Sequence, residues 1–270
     1  MPRSYVIQPL TVENLNAAIT LLEVADLAGA KTNLRRYLRC QPRCGWAAFD
    51  GDELVGIVTV LRQGASGFVG AMAVHPDHRG AGLGRRLLVH AQDEARRTGI
   101  ATFLLEATPM GAHLYRRLGY VDEYETLILT RDVVSPPPST RIAASEHAAL
   151  SQLDLVATGT MRDDMLLDLL GEHESGVTVH RGGDLVGAAM LLGERLGPAL
   201  ARDPDAGEAL FAQLVPACRV AVIPEPNRAA LDAAARHGFS ELRRLRRMRL
   251  GPAVAVRPEW IWALASPGAG

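Results

Sequence analysis

The 270-residue sequence predicts a mixed α/β protein of two similar halves, each with a central, mostly antiparallel sheet flanked by helices. Three observations predict this class. Helical and strand periodicities alternate along the first half. A proline-rich segment, Ser135–Ser139, divides the chain almost evenly and is expected to be an extended spacer. The hairpin pattern that precedes this segment returns after it, which indicates an internal repeat.

The first quarter of the chain predicts two helices. Thr11 is the expected N-cap of the first helix and Thr32 that of the second, because a threonine hydroxyl can accept a hydrogen bond from a first-turn amide. Apolar residues then recur at helical spacing. They are Leu15, Ala18, Ile19 and Leu22 in the first helix and Leu34, Tyr37 and Leu38 in the second.

Strands and helices alternate in the rest of the first half. A turn of aspartate and glycine between two apolar runs is typical of a β-hairpin, and apolar residues three and four apart are typical of a helix. The predicted elements are a hairpin over Trp46–Phe49 and Leu54–Leu61, a strand over Gly67–Val74, a helix from Leu83 to Ala95, a strand over Thr102–Leu105 and a helix over Gly111–Leu118.

The second half repeats landmarks of the first. Gly51–Gly56, which closes the first hairpin, recurs as Gly182–Gly187, and Gly119 after the last helix recurs as Gly238. We therefore predict a first domain over residues 1–133, a linker over 134–141 and a second domain over 142–270.

Composition excludes several function classes. The formal net charge of −1 argues against a general attraction to nucleic acid or to an anionic membrane. No apolar run reaches the roughly 20 residues that span a bilayer, and no signal-peptide core is present near the N-terminus, so we expect a cytoplasmic protein. The three cysteines show no disulfide framework. Cys40 and Cys44 have a C-x3-C spacing, but no second pair of cysteines or histidines follows it, so no metal is expected.

The most informative segment is Val74–Arg85. A strand ends, a proline turns the chain, and the alternating glycines Gly80, Gly82 and Gly84 lead directly into an amphipathic helix. Unpaired amides and the dipole at a helix N-terminus favour an anion, and glycines let it approach closely. Nearby arginines add positive charge. The segment therefore predicts a phosphate or pyrophosphate site.

Two nucleotide-binding motifs do not fit this segment. A Walker loop needs Lys-Ser/Thr after its last glycine, and Arg85-Arg86 stands there instead. A dinucleotide fingerprint has G-x-G-x-x-G spacing on the first strand of a βαβ unit, whereas here the spacing is G-x-G-x-G after antiparallel strands.

The segment resembles the signature of the GNAT acetyltransferase superfamily, Arg/Gln-x-x-Gly-x-Gly/Ala, on Arg79, Gly82 and Gly84. The resemblance implies two tandem GNAT-like domains, with acetyl-CoA as the co-substrate of the first. It also implies that the strand before the loop splays from the next strand to admit the pantetheine arm. The implied acetyl-CoA-binding residues are Met72, Ala73, Val74, Arg79, Gly80, Ala81, Gly82, Leu83, Gly84, Arg85 and Thr108.

Leu114–Tyr120 resembles the family's L-Y-x-x-L-G-F/Y ending, which implies that Tyr115 is the general acid for the leaving thiolate. The alternative is that Tyr115 only packs in the core. Thr108 stands where many relatives carry asparagine. Glu106 is the candidate general base for the attacking amine, although a purely structural carboxylate explains it equally well.

The second half lacks the cofactor parts. No glycine loop follows Pro204, a helix is expected from Glu208, and Ala234 takes the place of Tyr115. This half resembles the degenerate C-terminal domain of tandem GNAT proteins. At the start of a helix, Arg162 is either a substrate contact or, as we favour, a surface arginine. The run Arg243–Arg249 is interpreted as a charged strand rather than a nucleic-acid site.

Two functions stay open at this point. The first is an N-acetyltransferase acting on a small-molecule or peptide amine as a monomer or homodimer, with no nucleic-acid or membrane partner. The second is a non-catalytic acetyl-CoA-binding sensor or scaffold. Acceptor identity cannot be predicted, because fold does not determine substrate.

Overall fold

The computed structural model describes residues 4–132 and 135–270. The chain forms two compact units. The first unit comprises the residues up to Leu105 together with Leu250–Pro252 and Ala269. The second unit comprises the described residues of 106–249 together with Ala253–Gly268 and Gly270. Both units combine helices with a mixed sheet, as the sequence predicts.

The first unit contains a sheet with helices packed on it. Its strands follow the order β1-β2-β3-β4-β5, and all neighbours are antiparallel except β4 and β5, which are parallel. In chain order the elements are β1 (Tyr5–Pro9), α1 (Leu15–Val24), α2 (Lys31–Cys40), β2 (Gly45–Asp50), β3 (Glu53–Gln63), β4 (Ser66–Val74), α3 (Leu83–Arg97) and β5 (Thr102–Ala107), whose last two residues belong to the second unit.

The second unit has the strand order β11-β6-β10-β9-β8-β7, with a short strand β12 also paired to β9. Only β9 and β10 run parallel among these pairs. The elements are α4 (Pro109–Arg117), β6 (Val121–Thr130), α5 (His147–Thr158), α6 (Asp163–Glu172), β7 (Ser175–Arg181), β8 (Asp184–Leu192), β9 (Arg195–Ala201), α7 (Pro204–Leu214), β10 (Val220–Pro224), α8 (Arg228–Arg236), β11 (Ser240–Leu250) and β12 (Ile261–Ala263). The last residue of β11, Leu250, belongs to the first unit.

The internal repeat is confirmed element by element. The series β2-β3-β4-α3-β5-α4-β6 returns as β7-β8-β9-α7-β10-α8-β11. The predicted domain boundary at residues 133 and 134 lies outside the described residues. Between Ser135 and Ala143 no helix or strand forms, which agrees with a spacer. No helix in the described parts of the chain is both long and apolar enough to cross a bilayer.

The predicted caps of the first two helices are wrong. Helix α1 starts at Leu15, and the Thr11 amide donates to Asn14 Oδ1 at 2.9 Å instead of the Thr11 side chain capping the helix. Helix α2 starts at Lys31, one residue before Thr32. The preceding residues, 28–30, already form a 3₁₀ turn, so the helix continues from that turn without a side-chain cap.

Two later helices begin earlier than predicted, each at a proline. Helix α4 starts at Pro109 rather than Gly111, and helix α7 starts at Pro204 rather than Glu208. Proline suits the first position of a helix, because the amide that it lacks would have no intrahelical acceptor there. The residue before each proline, Thr108 or Asp203, caps the helix through its side chain.

Arg162 is buried, so its interpretation as a surface residue is wrong. Its side chain is 3% exposed and forms a two-pronged ion pair with the buried carboxylate of Asp154, at 2.7 and 2.8 Å. It also donates to the carbonyl of Gly270. A guanidinium is stable in this position because its donors are used on a carboxylate and a carbonyl. Arg162 therefore has a structural role in the second unit.

The Arg243–Arg249 run forms a strand, as predicted. Its side chains pair with acidic residues of the neighbouring strand β6. Arg244 and Arg246 both reach Glu125, at 2.8 and 2.6 Å, and Arg249 reaches Glu123 at 2.8 Å. The charges of Arg244, Arg246 and Arg249 are thus paired within the sheet.

Trp262 is the largest fully buried side chain of the second unit's core. Its ring packs edge-to-face on Phe211, with centroids 5.1 Å apart, and lies directly against Gly207 of α7. A Cβ at Gly207 would lie 1.8 Å from Trp262 Cε2, which no relaxation of a side-chain tip can relieve. The core therefore requires glycine there.

We expect Gly207→Ala to lower the free energy of unfolding by about 3 kcal/mol or more, because the added methyl overlaps the Trp262 ring. Gly171→Ala is the matched control, since Gly171 is also helical but a Cβ there meets no atom within 4 Å. That variant should be unchanged or up to about 1 kcal/mol more stable. Urea unfolding followed by circular dichroism compares the two, and equal effects would contradict the expectation.

Candidate functional site

The glycine loop before α3 has a backbone that favours glycine. Gly80 and Gly82 have φ angles of +79° and +78°, in the left-handed region that other residues rarely adopt. No atom lies within 4 Å of the Cβ position at either glycine. The loop therefore leaves open space beside its backbone, where a bulky group can approach.

Helix α3 begins directly after this loop. Gly82 is its N-cap, and the Arg86 amide makes the first helical hydrogen bond, to the Gly82 carbonyl at 3.1 Å. The amides of Leu83, Gly84 and Arg85 precede that bond and have no intrahelical acceptor. Together with the helix dipole they form an anion-binding site of the kind that the sequence predicts.

Three arginines surround this site, and they differ in their surroundings. Arg79 Nε donates to the Val74 carbonyl at 3.0 Å, which ties the loop to the end of β4. The side chains of Arg85 and Arg86 are exposed on the first turn of α3. The Arg86 guanidinium lies 5.8 Å from the centre of the Tyr5 ring. Positive charge is therefore present on the same turn as the free amides.

Strand β4 leaves its parallel neighbour early. It pairs with β5 at only three positions, Ser66, Gly67 and Phe68, but stays paired to β3 as far as Val74. A β-bulge interrupts the pairing with β3, and Ala71 in this bulge has a φ angle of +43°. The side of β4 that faces away from β3 over Val69–Val74, here called the β4 edge, has no strand partner among the described residues. This is the splayed strand that the resemblance implies.

Tyr115 lies in α4 of the second unit and is only 7% exposed. Its ring packs edge-to-face on Tyr120, with centroids 5.4 Å apart. Burial raises the pKa of its phenol further above neutral pH, so the hydroxyl is protonated there, as an ordinary tyrosine hydroxyl also is. The hydroxyl makes no hydrogen bond to a described residue. A protonated, uncommitted phenol has the form that a general acid requires.

Thr108 is the N-cap of α4. Its Oγ1 accepts a hydrogen bond from the Gly111 amide at 3.2 Å. Asn227 caps the repeated helix α8 in the same manner, with Oδ1 accepting from the Ala230 amide at 3.0 Å. The shared position therefore has a structural task in both repeats. Binding of acetyl-CoA by Thr108 stays a prediction.

Glu106 has a fully buried side chain in the second unit. Its Oε1 lies 3.5 Å from Arg247 Nη1, while Oε2 makes no hydrogen bond of normal geometry to another described residue. Burial raises the pKa of the carboxyl to about 7, against the lowering effects of the Arg247 charge and of the nearby Thr126 hydroxyl. A carboxyl with this pKa can accept a proton near neutral pH.

Sequence reasoning missed the partners of Glu106. Arg247 belongs to β11 and lies opposite Tyr124 of β6, and Thr126 lies two residues further along β6. The arginine run was visible in the sequence, but the pairing of β11 with β6 was not. Burial also raises the pKa of Tyr124 to about 12. The described residues thus include a buried polar cluster of Glu106, Arg247, Tyr124 and Thr126.

The second repeat closes the corresponding anion site with its own residues. Helix α7 is capped by Asp203, whose Oδ1 accepts from the Ala206 amide at 2.9 Å. The same carboxylate pairs with Arg181 at 2.6 Å. A carboxylate at this helix N-terminus takes the position that an anionic ligand would need.

The second repeat also fills the strand edge that is open in the first. Strands β9 and β10 pair at only two positions before they diverge. Strand β12 then pairs with β9 at Leu200 and Ala199, and the next residue, Leu264, donates its amide to the Val222 carbonyl of β10 at 2.8 Å. Asn227 adds a bond from Nδ2 to the Ile261 carbonyl at 3.0 Å. The chain itself therefore occupies this edge.

The structure thus divides the predicted site residues between its units. The loop and the β4 edge, from Met72 to Arg85, lie in the first unit, and Glu106, Thr108 and Tyr115 lie in the second. Glu106 and Tyr115 make no hydrogen bond to each other. Within the described parts of the chain, no group of three or more histidine, cysteine, aspartate or glutamate side chains could hold a metal ion.

Comparison with known proteins identifies both repeats. The family described as acetyltransferase (GNAT) domain matches residues 41–122, and a second family of the same description matches residues 150–263. A putative acetyltransferase from Pyrococcus horikoshii is similar in structure, with a TM-score of 0.84 and 21% identity over 98% of this chain and 96% of that one. At that identity, the likeness shows the fold alone.

Two curated relatives match shorter segments. The IAA acetyltransferase of Azospirillum brasilense is 40% identical over 70 residues, which are 25% of this chain and 46% of that protein. The streptothricin acetyltransferase of Streptomyces lavendulae is 48% identical over 50 residues, 17% of this chain and 26% of that protein. The matched regions span less than half the length of either relative.

We expect Glu106→Gln to remove a pH dependence of stability. The folded-state pKa of Glu106, about 7, exceeds the usual 4.5. The contribution of Glu106 to the free energy of unfolding is therefore fully present below about pH 4.5 and is lost as the pH rises through 7. Relative to wild type, Glu106→Gln should gain about 3 kcal/mol of unfolding free energy between pH 4.5 and 8. Urea unfolding across this range measures the difference.

Glu241→Gln is the control for this measurement. Glu241 is exposed, and its hydrogen bonds to Arg244 lower its pKa. That variant should keep the wild-type decline of stability between pH 4.5 and 8. If the unfolding free energies of Glu106→Gln and wild type changed with pH in parallel, this result would contradict a raised pKa at Glu106.

Proposed function

Because this chain belongs to the GNAT acetyltransferase family, we propose that it transfers the acetyl group of acetyl-CoA to a primary amine. The observation that carries the proposal is the open glycine loop at the start of α3, beside the unpartnered β4 edge. The free amides and exposed arginines suit a pyrophosphate. The β4 edge suits an extended arm with amide groups, such as pantetheine, because its backbone can form strand-like hydrogen bonds with it.

The proposed reaction is a direct transfer. The amine nitrogen attacks the thioester carbonyl carbon, so that a C–N bond forms and the C–S bond breaks. Tyr115 donates its phenolic proton to the departing thiolate and recovers a proton from solvent. The amine loses one proton, which Glu106 accepts. The neutral phenol and the carboxyl with a pKa of about 7 support these two roles.

We propose a small-molecule or peptide amine as the acceptor. The names of the two curated relatives each specify a small molecule, IAA or streptothricin. The near-neutral net charge gives no general attraction to polyanions. A cytoplasmic location, a monomeric or homodimeric state and a mechanism without metal belong to the same proposal.

We assign binding and catalysis to the first repeat. The second repeat carries Asp203 at the helix N-terminus and β12 on the equivalent strand edge, which support a purely structural role for its version of the site. The runner-up function is an acetyl-CoA sensor or scaffold without transfer. The threonine at position 108, where many relatives carry asparagine, favours that alternative.

We expect Gly82→Asp to weaken acetyl-CoA binding at least about tenfold, because it places a carboxylate beside the free amides of α3. Gly99→Asp is the matched control. Gly99 also has a positive φ angle, +89°, and an open Cβ position, but it follows the C-terminal end of the same helix. Calorimetric titration of acetyl-CoA measures both. Equal loss in the two variants, or no binding to wild type, would contradict the proposed site.

We expect Tyr115→Phe to lower kcat about 100-fold or more with acetyl-CoA affinity unchanged, because only the proton donor is removed. Tyr120→Phe, on the ring that packs against Tyr115, is the control and should keep kcat within a few-fold of wild type. Both are assayed by release of free CoA thiol over a panel of amines. Acetyl-CoA binding without turnover of any amine would favour the sensor.

A further inference from the structure

Arg247 is the charged partner of Glu106, and it comes from the last strand of the second repeat. Its Nη1 lies 3.5 Å from Glu106 Oε1, and its Nε lies 3.6 Å from Glu123 Oε2. The Arg247 side chain is 7% exposed and that of Glu106 is fully buried. All three residues belong to the second unit. A guanidinium shared between two carboxylates is therefore held inside this unit.

The pairing leaves one oxygen of Glu106 uncommitted. Arg247 approaches Oε1, whereas Oε2 is buried and makes no normal hydrogen bond to another described residue. The buried Thr126 hydroxyl also makes no hydrogen bond of normal geometry, but it lies near enough to the Glu106 carboxyl to lower its pKa. A buried acceptor without a donor costs about 1–3 kcal/mol, so Oε2 favours any N–H or O–H donor that reaches it.

The register of β11 separates Arg247 from its neighbouring arginines. Arg247 lies opposite Tyr124 of β6, and the register shifts immediately afterwards, between Arg247 and Met248. Arg246 instead pairs with Glu125 and Asp122 and is about one-third exposed. The two consecutive arginines therefore have different tasks, since one neutralises partly exposed carboxylates and the other reaches the buried Glu106.

We propose that Arg247 is a positioning residue for the reaction, fixing Glu106 through Oε1 so that Oε2 accepts the proton of the acceptor amine. This inference rests on the function proposed above. It gives the second repeat a part in the chemistry, although that repeat lacks the features of an acetyl-CoA site. Removing the Arg247 charge leaves Glu106 facing Thr126, the neutral phenol of Tyr124 and the like charge of Glu123, so the pKa of Glu106 rises.

The test compares Arg247→Gln and Arg247→Met with Arg247→Lys, and uses Arg246→Gln as the control. In the two neutral variants the acidic limb of the kcat–pH profile should move upward by about one to two pH units, with kcat at pH 7 falling about 5- to 50-fold. The loss should recover at higher pH. Arg247→Lys keeps the charge and should lie between the neutral variants and wild type, and Arg246→Gln should coincide with wild type.

A second measurement does not depend on turnover. In protein labelled with ¹³C at glutamate carboxyl carbons, the signal titrating near pH 7 is assigned to Glu106 by its loss in Glu106→Gln. Its midpoint should rise in Arg247→Gln and stay in place in Arg246→Gln. Calorimetric titration of acetyl-CoA and thermal unfolding verify that each variant is folded. If Arg247→Gln and Arg247→Met both fail to fold, the test rests on the pH profile of Arg247→Lys.

The outcomes separate this inference from the proposed function. If wild type transfers acetyl groups and the neutral variants lose activity equally at every pH, or keep it, Arg247 does not position the base and the inference is overturned. For Arg247→Lys alone, a uniform loss across the pH range overturns it and a pH-dependent loss supports it. If wild type turns over no amine, the proposed function is wrong. A shift of the Glu106 titration midpoint in Arg247→Gln would then show only that Arg247 and Glu106 interact in the folded protein.

Discussion

The backbone amides and carbonyls at the edge of a strand need hydrogen-bond partners. The two repeats meet this requirement in different ways. In each repeat two parallel strands pair over two or three residues and then diverge. The divergence leaves a row of polar groups that need water, a ligand or another strand. In the first unit this row borders the glycine loop of α3 and has no strand partner in the part of the chain that the structure describes. In the second unit β12 and the following residue occupy it. The same fold thus occurs with a strand edge that a ligand could pair with and with a strand edge that the chain's own strand already pairs with.

The two units give the predicted site residues different physical surroundings. The first offers backbone amides, a helix dipole and exposed arginines, which suit a polyanion that must bind and leave again. The second offers buried titratable groups, Glu106 and Tyr115, whose pKa values are raised because burial disfavours their charged forms. Exposure of the loop lets a charged ligand exchange with solvent, whereas burial of Glu106 and Tyr115 sets their protonation states.

The sequence predicts the parts of the site that depend on local pattern. The positions of Gly80 and Gly82, and the helix that follows, need only glycine chemistry and helical periodicity. The caps at Thr11 and Thr32 were predicted wrongly, because Asn14 and a 3₁₀ turn act within the same few residues. The contact between Glu106 and Arg247 could not be predicted. It joins residues 141 positions apart and depends on a strand register that β-bulges shift.

Strand β12 was missed for a related reason, since three residues are too few to show a period. Its presence has a thermodynamic consequence. A ligand that binds only the folded state stabilises it by mass action, so a domain with an open edge responds to the ligand's concentration. A strand from the same chain is always at the same effective concentration. Because β12 and Leu264 fill the strand edge of the second repeat from within the same chain, the pairing of this edge does not depend on the concentration of any ligand.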